Sequence, residues 1–553
     1  MLNIEGIPEI PKPQNAPMPG FARGTPERKL LEEAIKELRA QDSGRVKLPL
    51  MIGGKEIVTR DLGDCIVPHD NKRLLGRYAR AQASHTEAAI QAALDAREKW
   101  HRIPWYMRLN IFRKAAYLLQ TKYFYKLVAV TMEDLSKNPY EAMIDVCELV
   151  DFWNYNAYYA YQIYKEQPDS QPSSLNFTDW RPLEGFVAAL SPNNFVAIAG
   201  NLGTAPAMMG NVVVCKPASD AVFSFHAVLD VLYEAGLPPE VLSVVHGGRE
   251  ASQAIGETLL GSSSLAGVHF TGGTSTFDWI VGRIGKNTEK GVYRYGYPHR
   301  SCVGETGGKD FIIVHDDDDA RTVAAAIVVG GFGCQGRKCS ATSRIYVTEH
   351  MWPAVSKELA GFINSIKAGD AADFRNYMAA IISEAEYKKI VGYIEAAKAD
   401  KNVEVIGGSY TDKPGWFIRP TLIVTRDPDY RTMKEEIFGP VVTICPMSAK
   451  DFRGVLAKCD ETSPYGLTGA INTASLFTLC EGLEKLRYAA GNIYDWKTTG
   501  AVVGQQPFGG ARKSGTDDKA GSKLNLYRWV NSRSISLMHN RPQVPWPAFL
   551  DLQ

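Results

Sequence analysis

The sequence predicts an α/β protein, and three observations support that class. From residue 186 onward, short apolar runs alternate with helical segments. The predicted strands are FVAALS (186–191), NVVVCKPA (211–218), LSVVHG (242–247) and GVHFTG (267–272), separated by helices at 201–210, 220–235, 249–260 and 274–286. Strands that are apolar throughout and joined by helices are typical of a doubly wound parallel sheet. A second α/β block begins at FIIVHDDDDARTVAAAIVVG (311–330).

The part of the chain before the first block is predicted to be mostly helical. Residues 1–24 are rich in Pro and Gly and indicate an extended arm, which a charged helix at 26–41 follows. Short strands are predicted at LPLMIGG and EIVTRD. Ser84 is the predicted N-cap of the next helix, with Glu87 at the capping-box distance. Two longer helices are expected at 107–135 and 140–165.

The second block continues through the strand RIYVTEHMW and a helix near 351–366. The segments KEEIFGPVVTICPM and YGLTGAINTA follow. The tail SRSISLMH (532–539) alternates like an edge strand and lies beyond both blocks. A terminal strand of this kind often pairs with another subunit.

Composition excludes several classes of protein. The 553 residues include 62 basic and 61 acidic side chains, so a nucleic-acid-binding surface is not expected as the main function. Nine dispersed cysteines with no CxxC pair argue against a disulfide framework and a structural zinc site. We expect no metal, no membrane span and no secretory or transit peptide. The predicted compartment is the cytoplasm, with the mitochondrial matrix as the alternative.

The candidate nucleophile is Cys339 in GCQGRKCSATS. Its neighbours Arg337, Lys338 and Ser340 are expected to lower the pKa of the thiol, because the thiolate is the reactive species. Taken alone, such a cysteine is more often a packed bystander. Cys334 competes for the role but lacks the adjacent basic pair, so Cys339 is preferred.

Two nearby patterns are set aside. Gly331, Gly333 and Gly336 match GxGxxG, but a helix-like run precedes them and a strand follows, the reverse of a dinucleotide fingerprint. The acidic run Asp316–Asp319 resembles a metal cluster but is better explained as the start of a helix, where the dipole favours acids.

Other candidates lie at the predicted strand ends. Glu305 enters a buried strand and is a candidate general base, although a surface turn glutamate is the alternative. Asn194 in SPNNF is placed to stabilise an oxyanion, or simply forms a turn. Lys216 ends a strand and either reaches a ribose or phosphate or is solvated. Gly272 and Gly273 precede a helix whose backbone amides face an anion.

Together these segments resemble the aldehyde dehydrogenase superfamily. The family's motifs occur in order as PNNF, VCKPAS, FTGG, ETGGKD, GRKCS, EEIFGP and PFGGARKSG. The chain resembles the branch that oxidises L-glutamate γ-semialdehyde in proline breakdown. That likeness depends on GTPERK, RPLEGFVAALSP, GNLGTAPAMMGN and VVGQQPFGGARKSGTDDKAG, and it covers roughly residues 20–540.

The resemblance implies catalytic roles for three residues. Cys339 would attack the aldehyde carbon, and the Asn194 side chain with the Cys339 backbone N–H would hold the oxyanion. Hydride transfer would leave a thioester, and Glu305 would activate water to hydrolyse it.

The resemblance also implies a cofactor site for NAD. Its residues would be Pro192, Lys216, Ser219, Gly272, Gly273, Glu436 and Phe438. Glu436 and Phe438 would hold the nicotinamide ribose, the glycines would face the pyrophosphate, and Lys216 and Ser219 would face the adenosine ribose. A neutral Ser219 leaves NADP open, since no carboxylate there would repel a 2′-phosphate.

The implied substrate site is only partly retained. Ser340, Gly500, Ala501 and Phe508 would serve a substrate carboxylate. Asn193 stands where the branch has an aromatic residue, Met143 aligns with an acid that meets the substrate amine, and the stretch 492–497 is shortened. A different aldehyde is therefore the alternative substrate, and a non-catalytic binding protein on the same scaffold is the alternative from another class.

The resemblance implies an aldehyde dehydrogenase fold with a Rossmann-like NAD domain, a catalytic α/β domain and a small β oligomerisation flap. We predict an arm and the first part of the NAD domain at 1–139 and an oligomerisation segment at 140–165. The NAD-domain core is predicted at 166–310, the catalytic domain at 311–500, and a return segment with the oligomerisation tail at 501–553. A homodimer or higher homo-oligomer is expected.

Overall fold

The secondary structure of this computed structural model is described for residues 6–541, 545–546 and 549–550. The helices are α1 Pro26–Arg39, α2 Ala83–His101, α3 Trp105–Thr121, α4 Phe124–Asp134, α5 Pro139–Lys165, α6 Val196–Met208, α7 Val222–Ala235, α8 Arg249–Gly261, α9 Thr274–Glu289, α10 Ala320–Phe332, α11 Trp352–Ser365, α12 Glu384–Ala399, α13 Arg431–Lys434, α14 Phe452–Thr462, α15 Leu476–Lys485 and α16 Lys523–Tyr527. No described helix is both long enough and apolar enough to cross a membrane.

The strands alternate with these helices over most of the chain. They are β1 Lys47–Leu48, β2 Leu50–Ile52, β3 Lys55–Ile57, β4 Leu62–Val67, β5 Asp70–Ala79, β6 Ser174–Pro182, β7 Phe186–Leu190, β8 Val212–Lys216, β9 Leu242–Val244, β10 Leu265–Thr271, β11 Cys302–Glu305, β12 Asp310–Val314, β13 Thr342–Thr348, β14 Val403–Gly407, β15 Tyr410–Thr411, β16 Phe417–Ile418, β17 Thr421–Thr425, β18 Val441–Met447, β19 Tyr465–Gly466, β20 Thr468–Asn472, β21 Asn492–Tyr494, β22 Ala511–Arg512 and β23 Val530–Met538.

The first large sheet has the order β11-β10-β7-β8-β9-β2-β3. Its strands β7 to β11 are parallel, whereas β2 and β3 join antiparallel at one edge. The four strands predicted between 186 and 272 are confirmed; helices α6, α7 and α8 connect them, and α9 follows the fourth. The helix predicted at 201–210 begins earlier, at Val196.

The second large sheet has the order β14-β17-β18-β13-β12-β20-β21 and is parallel except for β14. Strand β12 and helix α10 confirm the predicted start of the second block. The α/β class with two blocks is therefore confirmed. The domain limits proposed from the sequence stay predictions.

A two-stranded ribbon pairs β6 with β23 in antiparallel register, from Val530 opposite Pro182 to Met538 opposite Ser174. The predicted tail strand is thus present, and its partner strand belongs to the same chain. Helix α5 packs against α3 and α6, and its role in an oligomerisation flap stays a prediction. Most of its residues, including Val146 and Trp153, are buried in the core of the first block.

The N-terminal prediction needs two corrections. Helix α2 begins at Ala83 with Gln82 as its N-cap, and His85 completes the capping box, so the prediction of Ser84 and Glu87 is wrong. The reason is that the helix begins two residues earlier than the sequence pattern suggests, which places Ser84 inside it. The single helix predicted at 107–135 is two helices, because α3 ends at Thr121 and α4 begins at Phe124.

A residue from late in the sequence packs into the core of the first block. Trp529, just before β23, is fully buried, and its ring lies 4.7 Å from that of His269 on β10. The backbone carbonyl of Trp529 accepts a hydrogen bond of 2.8 Å from the side-chain amide of Asn211. The residue just before the last strand is therefore part of the first core.

Candidate active site

A cavity of about 840 Å³ lies where both blocks meet. Thr271 and Glu305, the last residues of β10 and β11, line it from the carboxyl edge of the first sheet. Cys339, from the loop before β13, lines it from the second block. Ligands of open α/β sheets bind beyond the carboxyl ends of the strands, so this is the candidate site.

Cys339 lies between this cavity and a smaller one of about 20 Å³, lined also by Glu436 and Phe438. Cys339 as a whole is half-buried. Cys334 is 3% exposed and, among the described residues, lines neither of these cavities. A sulfur must reach a ligand to react, so the geometry favours Cys339 over Cys334.

The electrostatic prediction for the Cys339 thiol is wrong. Burial raises its pKa well above the ordinary value, and Asp310 and Glu305 raise it further. The adjacent cations are paired with other groups. Lys338 Nζ lies 2.7 Å from a carboxylate oxygen of Glu141, and Arg337 donates to the carbonyl of Phe438 at 3.3 Å.

Glu305 has an environment that suits a base. The residue is 9% exposed, so the alternative of a surface turn glutamate is wrong. Neither carboxylate oxygen has a hydrogen-bond partner among the described residues. Burial raises the pKa of this group well above its ordinary value, and Asp517 contributes to the same shift. A Cβ at Gly509 would lie 2.9 Å from Oε1, so this glycine leaves room for the carboxylate.

Asn194 is tied to the loop that carries the cysteine. Its residue is 6% exposed, and its side-chain amide donates a hydrogen bond of 3.1 Å to the carbonyl of Arg337. Arg337 is two residues before Cys339, so this hydrogen bond links the Asn194 amide to the loop that carries the sulfur. Among the described residues lining the main cavity, Asn194 itself is absent.

The glycines predicted to face a phosphate lie at the start of a helix. Gly273 is the N-cap of α9, which directly follows β10. The backbone N–H of Gly272 donates to the carbonyl of Glu305 at 3.1 Å, so this particular group is already used inside the protein. The next amides of α9 are placed to receive an anion.

The residues predicted for the two riboses occupy strand and loop ends. Lys216 is the last residue of β8, and burial lowers its pKa to about 8. The hydroxyl of Ser219 donates to the carbonyl of Gly247. Pro192 lies between β7 and α6.

Glu436 and Phe438 lie beside the sulfur, on the side away from the main cavity. A carboxylate oxygen of Glu436 accepts a 3.1 Å hydrogen bond from the N–H of Gly308, and a Cβ at Gly307 would collide with this carboxylate. Burial raises the pKa of Glu436. Phe438 has φ +59, and the guanidinium of Arg337 lies 4.8 Å from the centre of its ring.

The residues predicted to bind a carboxylate all line the main cavity; they are Ser340, Gly500, Ala501 and Phe508. Trp496 and Lys497 from the shortened stretch also line it. Among the described residues, neither Met143 nor Asn193 does, so their assignment to the substrate site is wrong.

The structure shows where those two side chains are held instead. Met143 is 1% exposed and packs in the core of the first block, on a different face of α5 from the cavity. The Asn193 side chain accepts from Arg337 at 3.3 Å and donates to Asp220 at 3.4 Å. These two differences from the family pattern therefore give no reason to expect an altered substrate pocket.

Sequence reasoning missed Glu148. It lines the cavity on α5, together with Ile144 and Phe152, which are four residues before and after it. Burial raises its pKa to about 8, and Asp145 adds to the shift. The available signal was the helical spacing, since residues four apart share one face.

One cluster elsewhere brings possible metal ligands together. Atoms of His69, Glu133 and Asp370 lie within 4.8 Å of one another. The carboxylates are already paired, because Arg39 contacts both of them and Arg73 also contacts Glu133. The cluster is thus a network of ion pairs. The run Asp316–Asp319 precedes a helix instead of forming its first turn; only Asp319 caps α10, by accepting from the N–H of Thr322 at 2.8 Å.

The cavity therefore combines the sulfur of Cys339 with two carboxyl groups, Glu305 and Glu148, whose pKa values are both raised. A sulfur nucleophile and a carboxyl base in one cavity suit covalent catalysis followed by hydrolysis.

Comparison with known proteins agrees with this geometry. The model of the aldehyde dehydrogenase family matches residues 59–535. The Δ1-pyrroline-5-carboxylate dehydrogenase of Dictyostelium discoideum, named as mitochondrial, is 42% identical over 95% of this chain and 93% of its own length. That of Agaricus bisporus is 43% identical over 95% of both chains. The crystal structure of the Mycobacterium tuberculosis enzyme bound with NAD superimposes with a TM-score of 0.93 at 38% identity, covering 99% of each chain.

Proposed function

The chain belongs to the aldehyde dehydrogenase family, and we propose that it oxidises L-glutamate γ-semialdehyde to L-glutamate with NAD as the hydride acceptor. The relatives described above are named Δ1-pyrroline-5-carboxylate dehydrogenase, and the mycobacterial one is bound with NAD. The observation that carries the proposal is one cavity lined by Cys339, Glu305 and Glu148.

The residues present suit NAD. The N-terminus of α9 after Gly273 offers backbone N–H groups for a pyrophosphate, and Lys216 ends the neighbouring part of the same sheet. The space kept open by Gly307 lets the carboxylate of Glu436 reach a ribose hydroxyl beside the sulfur. NAD supplies the carbon that accepts the hydride. The neutral Ser219 keeps NADP as the alternative cofactor.

The chain's own residues account for the remaining steps. The Cys339 thiol releases its proton to water, and Sγ bonds to the aldehyde carbon while the side-chain amide of Asn194 and the Cys339 N–H donate to the carbonyl oxygen as it gains charge. The same carbon then loses its hydride to the acceptor that NAD would supply, which leaves a thioester. Glu305, whose pKa is raised, takes a proton from the water that attacks the resulting thioester. The thioester bond breaks, the acid leaves, and the sulfur is restored.

The two ends of the proposed substrate meet different groups. Its carboxylate would accept hydrogen bonds from the hydroxyl of Ser340 and from the backbone at Gly500 and Ala501. Its ammonium would pair with Glu148, and Phe508 would contact the carbon chain. The alternative of a different aldehyde now depends on the 492–497 stretch alone.

We further propose a homodimer or higher homo-oligomer. The ribbon of β6 and β23 has only two strands, and an isolated ribbon of that size is marginal in water without further packing. The predicted domain limits and the cytoplasmic compartment, with the mitochondrial matrix as the alternative, belong to the same proposal.

The test is NAD reduction with a panel of aldehydes: L-glutamate γ-semialdehyde, succinate semialdehyde and an aromatic aldehyde. The amino-acid aldehyde should have the highest kcat/KM. A clear preference for an aldehyde without the amine would replace the proposed substrate, and no NAD reduction with any of them would refute the enzymatic proposal.

A further inference from the structure

We propose that Lys137 and Asp145 are positioning residues that hold the oxyanion-binding amide of Asn194 in place. The proposal rests on the proposed function, because it concerns the same oxyanion. Neither residue lines the main cavity among the described residues, so each would act through the segment that it holds.

Helix α6 begins without a cap of its own. Its N-cap is Phe195, whose side chain offers no acceptor for the first N–H groups of the helix. Asp145, from α5, supplies both of its carboxylate oxygens instead. Oδ2 accepts from the N–H of Val196 at 3.0 Å, and Oδ1 accepts from the N–H of Ala197 at 2.8 Å. The start of α6 is therefore fixed to another helix, immediately after Asn194.

Lys137 completes this arrangement. Its ammonium lies 2.8 Å from Asp145 Oδ2 and 3.4 Å from the centre of the Phe195 ring. Both charged residues are fully buried. A buried ion pair is weak evidence for stability, since desolvation offsets the attraction, and fixing one geometry is a better-attested use. Here the geometry that it fixes is that of Phe195 and Val196.

The residue before Lys137 contacts the loop that carries Cys339. The carbonyl of Ser136 accepts a hydrogen bond of 2.6 Å from the side-chain amide of Gln335, four residues before Cys339. Gln335 has φ +55 and therefore needs such support. Residues 136 and 137 thus hold the cysteine loop and the start of α6 together, and the 3.1 Å bond from Asn194 to Arg337 closes the connection.

The test compares two reactions of Cys339 in the full-length enzyme. Acylation by p-nitrophenyl acetate passes through an oxyanion, whereas alkylation by iodoacetamide does not. In Asp145→Asn, acylation measured as the nitrophenolate burst should slow by about 10²-fold, the effect of a misplacement near 1 Å. Alkylation of the Cys339 peptide, followed by mass spectrometry, and the Kd of NADH should change less than twofold.

The matched control is Thr204→Val, which removes another buried hydrogen bond between α5 and α6, the 3.1 Å bond from the indole of Trp153. It should leave both reactions within twofold. The variant Lys137→Met with Asp145→Asn removes both charges, so no unpaired charge is left to prevent folding. It should show the same selective loss of acylation.

A double-mutant cycle separates this proposal from the proposed function. If Asp145 acts through Asn194, adding Asp145→Asn to Asn194→Ala should cost little more than Asn194→Ala alone. Additive effects, or equal losses of acylation and alkylation, would overturn the positioning role and leave the proposed function standing. Unchanged acylation in Asn194→Ala would refute the oxyanion role itself.

Discussion

Glu148→Gln should remove the recognition of the substrate amine. The Glu148 carboxylate is half-buried in the cavity wall, and its loss leaves an ammonium without its charged partner. Truncating one partner of a buried charge pair costs 2–5 kcal/mol. Because Glu148 is partly exposed, we expect the lower end, about 2–3 kcal/mol, or roughly 30–150-fold in kcat/KM.

The assay is steady-state NAD reduction with two substrates that differ only in the amine. L-Glutamate γ-semialdehyde should lose the full factor, whereas glutarate semialdehyde should change less than threefold. The pKa of about 8 at Glu148 adds a pH signature, because only the ionised carboxylate attracts the ammonium. The preference of the unmodified enzyme for the amino substrate should rise from pH 6.5 to 8.5, since kcat/KM reports groups of the free enzyme.

In Glu148→Gln that preference should be independent of pH. The substitution keeps the size of the side chain, so a general loss of packing would affect both substrates alike. Equal losses for the two aldehydes, or a pH-dependent preference that survives in the variant, would show that the amine does not meet Glu148.

Three further predictions concern other parts of the molecule. Cys339→Ala should abolish aldehyde oxidation and retain NADH binding, measured by fluorescence, whereas Cys334→Ala should still oxidise the aldehyde. The reverse result would show that Cys334 is the nucleophile. Gly509→Ala places a Cβ 2.9 Å from Glu305 Oε1 and should displace this carboxylate. In stopped-flow traces the first turnover should stay rapid while steady-state oxidation falls by about 10-fold, as in Glu305→Gln. Loss of the rapid first turnover would contradict this prediction. Glu133→Gln should lower the free energy of unfolding in urea by about 3 kcal/mol near pH 7. The ion pairs lower the pKa of Glu133 to about 2, so its contribution is present above about pH 4.5 and disappears as the pH falls toward 2; an unchanged unfolding midpoint would refute it.

The sequence predicts the fold well because the apolar strands and the helices between them are local patterns. The order of the motifs also brings Cys339, Glu305, Ser340 and the Gly500 loop to one cavity, as we expected. Glu305 ends β11 at the carboxyl edge of the first sheet, where ligands of such sheets bind. Cys339 and Ser340 lie in the loop before β13, and Gly500 lies in the loop after β21, so the second block contributes loops to the same cavity.

What the sequence could not predict depends on side-chain direction in three dimensions. Lys338 is adjacent to Cys339 in the chain, yet its ammonium pairs with Glu141 and leaves the thiol among acids. On α5, the sequence comparison points to Met143 and misses Glu148, because a linear comparison does not show which face of a packed helix meets the cavity. Only the packing of α5 against α3 and α6 decides that.

The burial of Trp529 beside His269 has a consequence for synthesis on the ribosome. Strands β7 to β11 are translated more than 200 residues before Trp529, the side chain that fills their core. The first block must therefore stay partly open until residue 529 has been made. Removing Trp529 and the residues after it should thus disrupt strands that were translated long before.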